Sequence, residues 1–288
     1  MDLCKKSNRL LLVGLFVFMA GCQQRLATDV HVGRWHSIAS GIDYASGEAN
    51  SVRLQRVYAL RVDTANPNIE FFSTPDNGDK PLMTNGQTTS EFLRMYGCKV
   101  AINANPFSPV DQTRPRNVYG LAMSEGKIVA RPNVKNPSLL ISKDNRARIA
   151  EVNENSDLKD VWTAVSGFGI VLSNGINIGD SKTVHPRTAV GISGDGRYLF
   201  LMVIDGRQSG YSAGATPFET AQWLHRFGAV NGLNLDGGGS TSLVRSDGKD
   251  GAIILNRPIH GDKPGQERIV GNNLGVLVTS GKRADKEQ

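Results

Sequence analysis

The residues best suited to chemistry lie between Val230 and Val244, where an apolar run ends in Asp236. Three glycines, Gly237–Gly239, follow this carboxylate, and a run of hydroxyl residues begins at Ser240. Glycine lets a ligand approach the backbone closely, and successive N–H groups in such a loop can form a concave anion site. The stretch therefore indicates a carboxylate beside an anion site. A glycine-rich hairpin turn with an ordinary turn aspartate is the alternative.

Four further segments place polar groups at the predicted ends of strands. They are residues 103–107, 185–188, 205–207 and 267–273. If the strands predicted over 188–193, 198–204 and 231–235 are neighbours, these ends meet at one edge of a sheet. Loops on a rigid scaffold commonly carry function, so we expect one site there.

The elements that position these residues are predicted to be many strands and few helices. Alternating apolar and polar residues predict strands, as over 52–62. Helices are predicted over 89–96 and from Pro217 to Gly228, the second with Thr216 as N-cap and Glu219 completing a capping box. We predict a single α+β domain over residues 51–280, with a mixed, largely antiparallel sheet.

Composition and charge exclude several classes of function. The 288 residues, 39% of them hydrophobic, suffice for a substantial core. The net charge of +6 is mild and spread along the chain, which is compatible with anionic ligands. The sequence has no zinc-finger spacing, basic helix or aromatic platform, so no nucleic-acid partner is predicted. No cofactor and no metal site are predicted, although scattered Asp and Asn side chains leave Ca²⁺ as an open alternative.

Residues 1–22 are predicted to be a bacterial lipoprotein signal segment. A basic region precedes the apolar run 10–20, which is too short to span a bilayer comfortably. Met-Ala-Gly-Cys at 19–22 resembles the site at which such a protein is cleaved and Cys22 is lipidated. Several acyl chains give stable membrane anchoring, and Gln23 is compatible with the outer membrane, facing the periplasm. A plain membrane anchor or an ordinary secretory peptide is the alternative.

The segments that flank the predicted domain are polar. Residues 23–50 are small, polar and unpatterned, which predicts a tether leading loosely into the domain, and residues 281–288 predict a polar tail. Once Cys22 is lipidated and the signal segment removed, Cys98 is the remaining cysteine of the sequence, so no intrachain disulfide is predicted. Cys98 lies in an apolar run, which predicts a buried, inert thiol.

Three motifs resemble, in order and spacing, those of the phosphodiester glycosidase domain family. They are Pro-Arg-Thr-Ala-Val-Gly at 186–191, Asp-Gly-Arg at 205–207 and Asn-Leu-Asp-Gly-Gly-Gly-Ser at 234–240. The similarity extends from Tyr96 to Val278, and departs at 103–107, where relatives more often read Asn-Gly-Gly-Phe-Phe. The resemblance implies hydrolysis of a bond between a sugar's anomeric carbon and a phosphate, as in an N-acetylglucosamine-1-phosphodiester. The departure bears on the pocket wall and the substrate sugar.

The residue types at the strand ends suit this chemistry. Glycosidases commonly pair two carboxylates, so Asp205 and Asp236 are the predicted acid/base or nucleophile pair, with the order of roles open. Because a phosphodiester leaves readily, cations on its oxygens matter more than a proton donor, and arginine binds phosphate through two parallel hydrogen bonds. The predicted substrate-binding residues are Asn103, Arg187, Thr188, Gly206, Arg207, Gly237, Gly238, Gly239, Ser240 and Arg268.

Other polar residues have stronger structural explanations. Glu219 is a third catalytic candidate, but the capping box alone explains it. Asp195 lies in a Gly-Asp-Gly turn and is predicted to be structural. His185 and His260 could transfer protons near neutral pH, yet histidines beside Pro or Gly are more commonly loop residues.

Two rival functions make distinct predictions. Gly-Tyr-Ser-Ala-Gly at 210–214 matches a serine-hydrolase elbow, with Asp236 and His260 following, but Ser212 lies seven residues after the strand end at Asp205 rather than at a strand-to-helix turn. A glycan- or peptidoglycan-binding envelope lipoprotein would need the arginines but not both carboxylates. For the enzyme, we predict that Asp205→Asn and Asp236→Asn each lower turnover by orders of magnitude without unfolding the protein.

Overall fold

A computed structural model of the chain describes residues 29–279. The first twelve strands are β1 Val30–Val32, β2 His36–Ala39, β3 Ile42–Ala49, β4 Gln55–Asp63, β5 Ile69–Ser73, β6 Thr84–Asn85, β7 Val100–Asn103, β8 Phe107–Ser108, β9 Pro115–Val118, β10 Ala122–Ser124, β11 Lys127–Ala130 and β12 Ser138–Ser142. The others are β13 Ala147–Ala150, β14 Val161–Ser166, β15 Gly169–Ser173, β16 Ile176–Asn177, β17 Arg187–Ser193, β18 Tyr198–Ile204, β19 Ala229–Asn234, β20 Leu243–Ser246, β21 Ala252–Ile254, β22 Ile259–His260, β23 Lys263–Pro264 and β24 Asn273–Val278. The α-helices of this part of the chain are α1 Thr89–Tyr96 and α2 Pro217–Phe227.

The strands form three large sheets and two small ones within residues 29–279. The largest has nine strands in the order β1-β3-β4-β18-β17-β19-β15-β16, with β2 also paired to β3. The two five-stranded sheets have the orders β11-β10-β14-β12-β13 and β21-β20-β7-β24-β5. The adjacency of β17, β18 and β19 confirms that the strands adjoining three of the predicted site segments are neighbours.

The prediction of largely antiparallel sheets with few helices is confirmed, but "mixed" is wrong for the described residues. Every pairing between two strands of residues 29–279 is antiparallel. A parallel contact occurs as the isolated bridge between Ile259 and Gln266. Parallel pairing needs long crossovers, whereas short turns join many of these strands. The single-domain assignment stays a prediction.

The predicted loose tether over 23–50 is wrong for residues 30–49, which form β1, β2 and β3 of the largest sheet. The pattern was hard to recognise because β3 buries small residues such as Ala45 and Ala49. Gly47 in this strand lies under Trp223 of α2, and a Cβ there would come within 2.5 Å of the indole ring. Strands of the fold therefore lie up to about twenty residues before the predicted boundary at residue 51.

The core is layered, with a helix on each outer side. A central cluster joins the nine-stranded sheet to both five-stranded sheets, through residues such as Leu201, Ile102 and Leu139. Helix α2 packs on the other face of the nine-stranded sheet, and its predicted capping box between Thr216 and Glu219 is confirmed. Helix α1 packs on the sheet that contains β7 and β24.

Cys98 lies in the cluster under α1 with 1% of its surface exposed. Burial raises the pKa of its thiol to about 12, because an apolar environment disfavours the thiolate. The prediction of a buried, inert cysteine is confirmed as regards burial.

The predictions for the signal segment 1–22, for lipidation at Cys22 and for the tail 281–288 lie outside the described residues. Among residues 29–279, no helix has the length and apolarity needed to cross a bilayer.

Candidate active site

A cavity of about 250 Å³ opens where the start of β17 meets the ends of β18 and β19. Antiparallel pairing sets Arg187 beside Ile204 and Ala189 beside Asn234, which brings these strand ends to one edge. The lining residues are Phe168, His185, Pro186, Arg187, Arg207, Leu235, Asp236, Gly237, Gly238, Gly239 and Arg268. The structure thus brings seven of the predicted site residues into one cavity.

The glycine loop provides room rather than a row of free N–H donors. The N–H of Gly238 donates to the carbonyl of Pro186 at 2.9 Å, and that of Ser240 donates to the carbonyl of Gly237 at 3.2 Å. The expected anion nest is therefore wrong for these two N–H groups. A Cβ at Gly239 would lie 2.3 Å from Nη2 of Arg268, so any other residue there would displace this guanidinium group.

Asp236 is the one carboxylate among the cavity-lining residues in the described part of the chain. Burial raises the pKa of its carboxyl group to about 6. The hydroxyl of Ser240, the charge of Arg268 and the N–H of Gly237 all oppose this shift, because each of them favours the ionised form. The carboxyl group is therefore ionised at neutral pH and titrates just below it.

Three guanidinium groups face this single carboxylate, so the cavity is suited to an anion. Arg268 donates from Nη1 to Ser240 Oγ at 3.3 Å and from Nε to Nδ1 of His260 at 3.1 Å. Arg207, which is exposed, lies 3.2 Å from Nδ1 of His185 through its Nη2. In both pairs the imidazole nitrogen must accept, so each histidine is neutral while it holds its arginine.

Burial and nearby positive charge both lower the pKa of these histidines, which favours the neutral form. Burial lowers the pKa of His185, and Arg207 and Arg187 lower it further. Burial likewise lowers the pKa of His260, with Arg268 and Lys263 acting in the same direction. The interpretation of both histidines as ordinary loop residues missed these contacts.

Arg187 is the most deeply held of the three arginines, with 8% of its surface exposed. Its Nε donates to the carbonyl of Ala215 at 2.8 Å, and its Nη2 donates to the carbonyl and hydroxyl of Thr183. Two of its three nitrogens are therefore occupied by the protein. Arg187 therefore adds positive charge to the cavity, but it has fewer free N–H groups with which to bond a ligand.

Asn103 and Thr188, both predicted to bind substrate, lie one layer behind the cavity. Asn103 donates from Nδ2 to the backbone carbonyl of Asp236 at 2.6 Å, and Thr188 donates its hydroxyl to Asn103 Oδ1 at 2.8 Å. Both residues are fully buried. Both residues therefore hold the backbone of Asp236 in place. The 103–107 segment, where the sequence departs from its relatives, also contributes to packing: Asn105 is buried, and its side chain donates to the carbonyls of Tyr119 and Leu121.

The structure does not place Asp205 among the residues that line the cavity, so the predicted carboxylate pair does not meet there. Asp205 is 1% exposed. Its carboxylate accepts from Asn256 Nδ2 at 2.8 Å, from the N–H of Arg257 at 2.8 Å and from the Tyr211 hydroxyl at 3.1 Å. Burial raises the pKa of Asp205 to about 6 against these donors. Asp205 fixes the loop that leads to His260.

Gly206 and Glu219, also predicted for the site, do not line the cavity. A Cβ at Gly206 would lie 2.7 Å from Cα of Gly214, so glycine there permits close chain packing. Glu219 accepts from the N–H of Thr216 at 2.8 Å and from Arg53 at 2.9 Å. Its carboxylate is occupied by the helix cap and an ion pair.

Asp205→Asn is expected to lower the free energy of unfolding by about 2–4 kcal/mol, because an amide would set its NH₂ against buried donors. Its effect on activity is then expected to follow the loss of structure. Denaturant unfolding, compared with the exposed control Asp79→Asn, measures this. A variant as stable as the wild type would contradict the structural role.

The serine-hydrolase alternative is not supported by the geometry. Ser212 is fully buried, donates its hydroxyl to the backbone carbonyl of Asp205 and accepts from the N–H of Arg56 at 3.1 Å. Its isolated bridge to Gln208 places it in a tight turn. His260 instead contacts Arg268, so no Ser–His pair is present here.

Among residues 29–279, no group of three or more His, Cys, Asp or Glu side chains is placed to hold a metal ion. The predictions on metals and cofactors stay predictions.

Four lining residues were not predicted for the site: Phe168, His185, Pro186 and Leu235. Pro186 and Leu235 adjoin predicted residues, so the motifs contained a weak signal for them. Phe168 lies between two glycines in the sequence, and no local sequence pattern indicated that it belongs to the site. Its place in the cavity depends on the pairing of β15 with β19, which is a tertiary feature.

The fold and the cavity define a largely antiparallel β protein with one carboxylate set among guanidinium groups. The chain belongs to the phosphodiester glycosidase family, whose family model matches residues 96–277. No curated protein matches the sequence.

Solved structures share the fold at low sequence identity. The catalytic domain of zebrafish N-acetylglucosamine-1-phosphodiester alpha-N-acetylglucosaminidase, auto-inhibited by its pro-peptide, is similar with a TM-score of 0.67 and 18% identity, over 87% of this chain and 88% of that one. A Synechocystis protein gives 0.63 and 14%, over 85% of this chain, which spans 64% of the Synechocystis chain. A Burkholderia pseudomallei protein gives 0.61 and 15%, over 80% and 75%.

Proposed function

We propose that this protein hydrolyses the bond between the anomeric carbon of a sugar and a phosphodiester. The observation that carries the proposal is the placement of the Asp236 carboxyl group in one small cavity with Arg187, Arg207 and Arg268. Membership in the family and the likeness to the zebrafish enzyme support the same reaction class.

The cavity supports a division of labour between the arginines and the carboxylate. The guanidinium groups hold the phosphate oxygens and stabilise the charge that develops as the C–O bond breaks and phosphate leaves with the electron pair. Since phosphate is a good leaving group, no second carboxylic acid is needed to protonate it. Asp236, ionised at neutral pH, either attacks the anomeric carbon or takes the proton from an attacking water.

The test is to incubate the purified protein with a panel of sugar-1-phosphodiesters and nucleotide sugars, and to follow release of free sugar, with and without chelator. NMR of the first-formed anomer separates the two roles of Asp236, because a covalent intermediate retains configuration and direct attack by water inverts it. Release of no sugar from any member would overturn the proposal.

We also propose that the protein acts on an envelope glycan or a related phosphodiester, anchored through Cys22 to the outer membrane and facing the periplasm. The basic region, the short apolar run and the small residues before Cys22 support this. We expect Cys22→Ser to abolish palmitate labelling and to move the protein from the membrane fraction to the soluble fraction. The matched control is Cys98→Ser, and labelling that survives in Cys22→Ser would contradict the anchor.

A further inference from the structure

The cavity has an apolar wall that the phosphate chemistry does not use. Phe168 lines it together with the charged groups, and 58% of the Phe168 surface is exposed, whereas Leu235 is fully buried in the core. Leaving a phenyl ring uncovered forfeits the favourable burial of apolar surface. Ligand cavities commonly combine such apolar walls with a few well-placed polar groups.

The backbone presents this ring rigidly, so its exposure does not come from a loose loop. The N–H of Phe168 donates to the carbonyl of Asn234 at 2.8 Å, and that of Gly167 donates to the carbonyl of Pro137 at 2.9 Å. Asn136 also donates from Nδ2 to the carbonyl of Gly167 at 2.9 Å. A Cβ at Gly167 would come 2.2 Å from the carbonyl oxygen of Asn234, so the chain is tightly seated here.

The ring lines the same cavity as the carboxylate. Gly169 of β15 pairs with Asn234 of β19 in antiparallel register. Phe168 directly precedes β15, and its N–H donates to the carbonyl of Asn234, two residues before Asp236. A molecule bound in this cavity with its reacting carbon at Asp236 can therefore also contact the phenyl ring.

We propose that Phe168 is a specificity-determining residue on which the C–H face of a pyranose ring stacks while the attached phosphate lies on the arginines. The proposal rests on the proposed function for the class of substrate. One face of a pyranose presents mainly C–H groups, which are apolar, and a flat aromatic ring covers them at low cost in side-chain entropy. The arginine wall alone would bind any phosphate, so the ring supplies preference for a sugar.

Calorimetric titration with inorganic phosphate, glucose 1-phosphate and N-acetylglucosamine 1-phosphate tests this. We expect the wild type to bind at least one sugar phosphate about tenfold more tightly than inorganic phosphate. Phe168→Ala should lose this preference while its affinity for inorganic phosphate changes by less than about twofold. Phe168→Trp should restore the preference, because it keeps an aromatic face. The matched control is Ile178→Ala, an exposed apolar residue that does not line the cavity.

Two results would overturn the role of Phe168: a preference that survives in Phe168→Ala, or a wild type that binds all three ligands equally. These are distinct from failure of the proposed function. A preference that depends on Phe168 in a protein that releases no sugar would overturn hydrolysis and leave the stacking role intact. Normal hydrolysis together with an unchanged ligand preference in Phe168→Ala would overturn the stacking role and leave the proposed hydrolysis intact.

Discussion

Replacing Asp236 by asparagine is expected to lower kcat/KM for a sugar-1-phosphodiester by about 10³-fold or more, within the range that loss of a catalytic base or nucleophile produces. Asparagine keeps the shape and one acceptor oxygen for the donors Ser240 and Gly237, which bond the Asp236 carboxyl group. What it loses is the negative charge and the nucleophilic oxygen. Steady-state kinetics on the purified variant measure the effect.

The same substitution should leave the fold intact, which separates a chemical role from a structural one. Burial raises the pKa of Asp236 to about 6, above the 3.8 of an ordinary aspartate. The folded state therefore binds a proton more readily than the unfolded state between about pH 4 and 6, and this group's contribution to stability falls as pH rises through that window. At neutral pH the asparagine variant is expected to be as stable as the wild type or more so, as measured by denaturant unfolding.

Activity should follow the opposite trend with pH. The ionised form of Asp236 is required, so kcat/KM of the wild type is expected to fall below about pH 6, with a limiting slope of one proton. The exposed turn variant Asp195→Asn is the matched control and should retain wild-type turnover and profile. Full turnover in Asp236→Asn would contradict catalysis at this residue. If the wild type has no measurable turnover and the Asp236→Asn variant binds the ligand as the wild type does, the non-catalytic glycan-binding alternative would be favoured.

Site residues could be predicted from sequence where the chemistry is contiguous along the chain. Asp236 and the three following glycines form one uninterrupted run at the end of β19, so any neighbouring arrangement of the strands keeps them together. Arg187 and Arg207 adjoin strands that pair with each other, which short hairpin connections made predictable. In these cases local pattern and tertiary structure agree.

Prediction failed where the partner lies far away in the chain. Asp205 is a polar residue at a strand end, just as Asp236 is, but its carboxylate bonds to Asn256 and Arg257 some fifty residues later. Sequence pattern shows that a polar residue follows a strand, and not which loop covers it. The same limit hid the approach of Phe168 to the strand that precedes Asp236.

Arg268→Lys is expected to lower kcat/KM by about 10²- to 10³-fold, the range seen when one charge-stabilising donor is removed. Lysine retains the positive charge that favours ionisation of Asp236, so the pKa of that carboxyl group is disturbed least. It cannot reproduce the planar fork that bonds Ser240 and His260 and turns toward Gly239. Since the fork also suits two phosphate oxygens at once, the loss should appear in kcat and in weaker inhibition by inorganic phosphate.

The matched control for this prediction is Arg245→Lys. Arg245 is partly buried and donates to the carbonyl of Ser246 at 3.1 Å, but it does not line the cavity. Arg207→Lys tests a second guanidinium of the cavity, which is exposed and bonds His185, so its effect should be smaller. Equal phosphate inhibition in Arg268→Lys and Arg245→Lys would contradict a clamp at Arg268. Because charge is conserved in every one of these variants, a difference between them must come from the geometry of the guanidinium group.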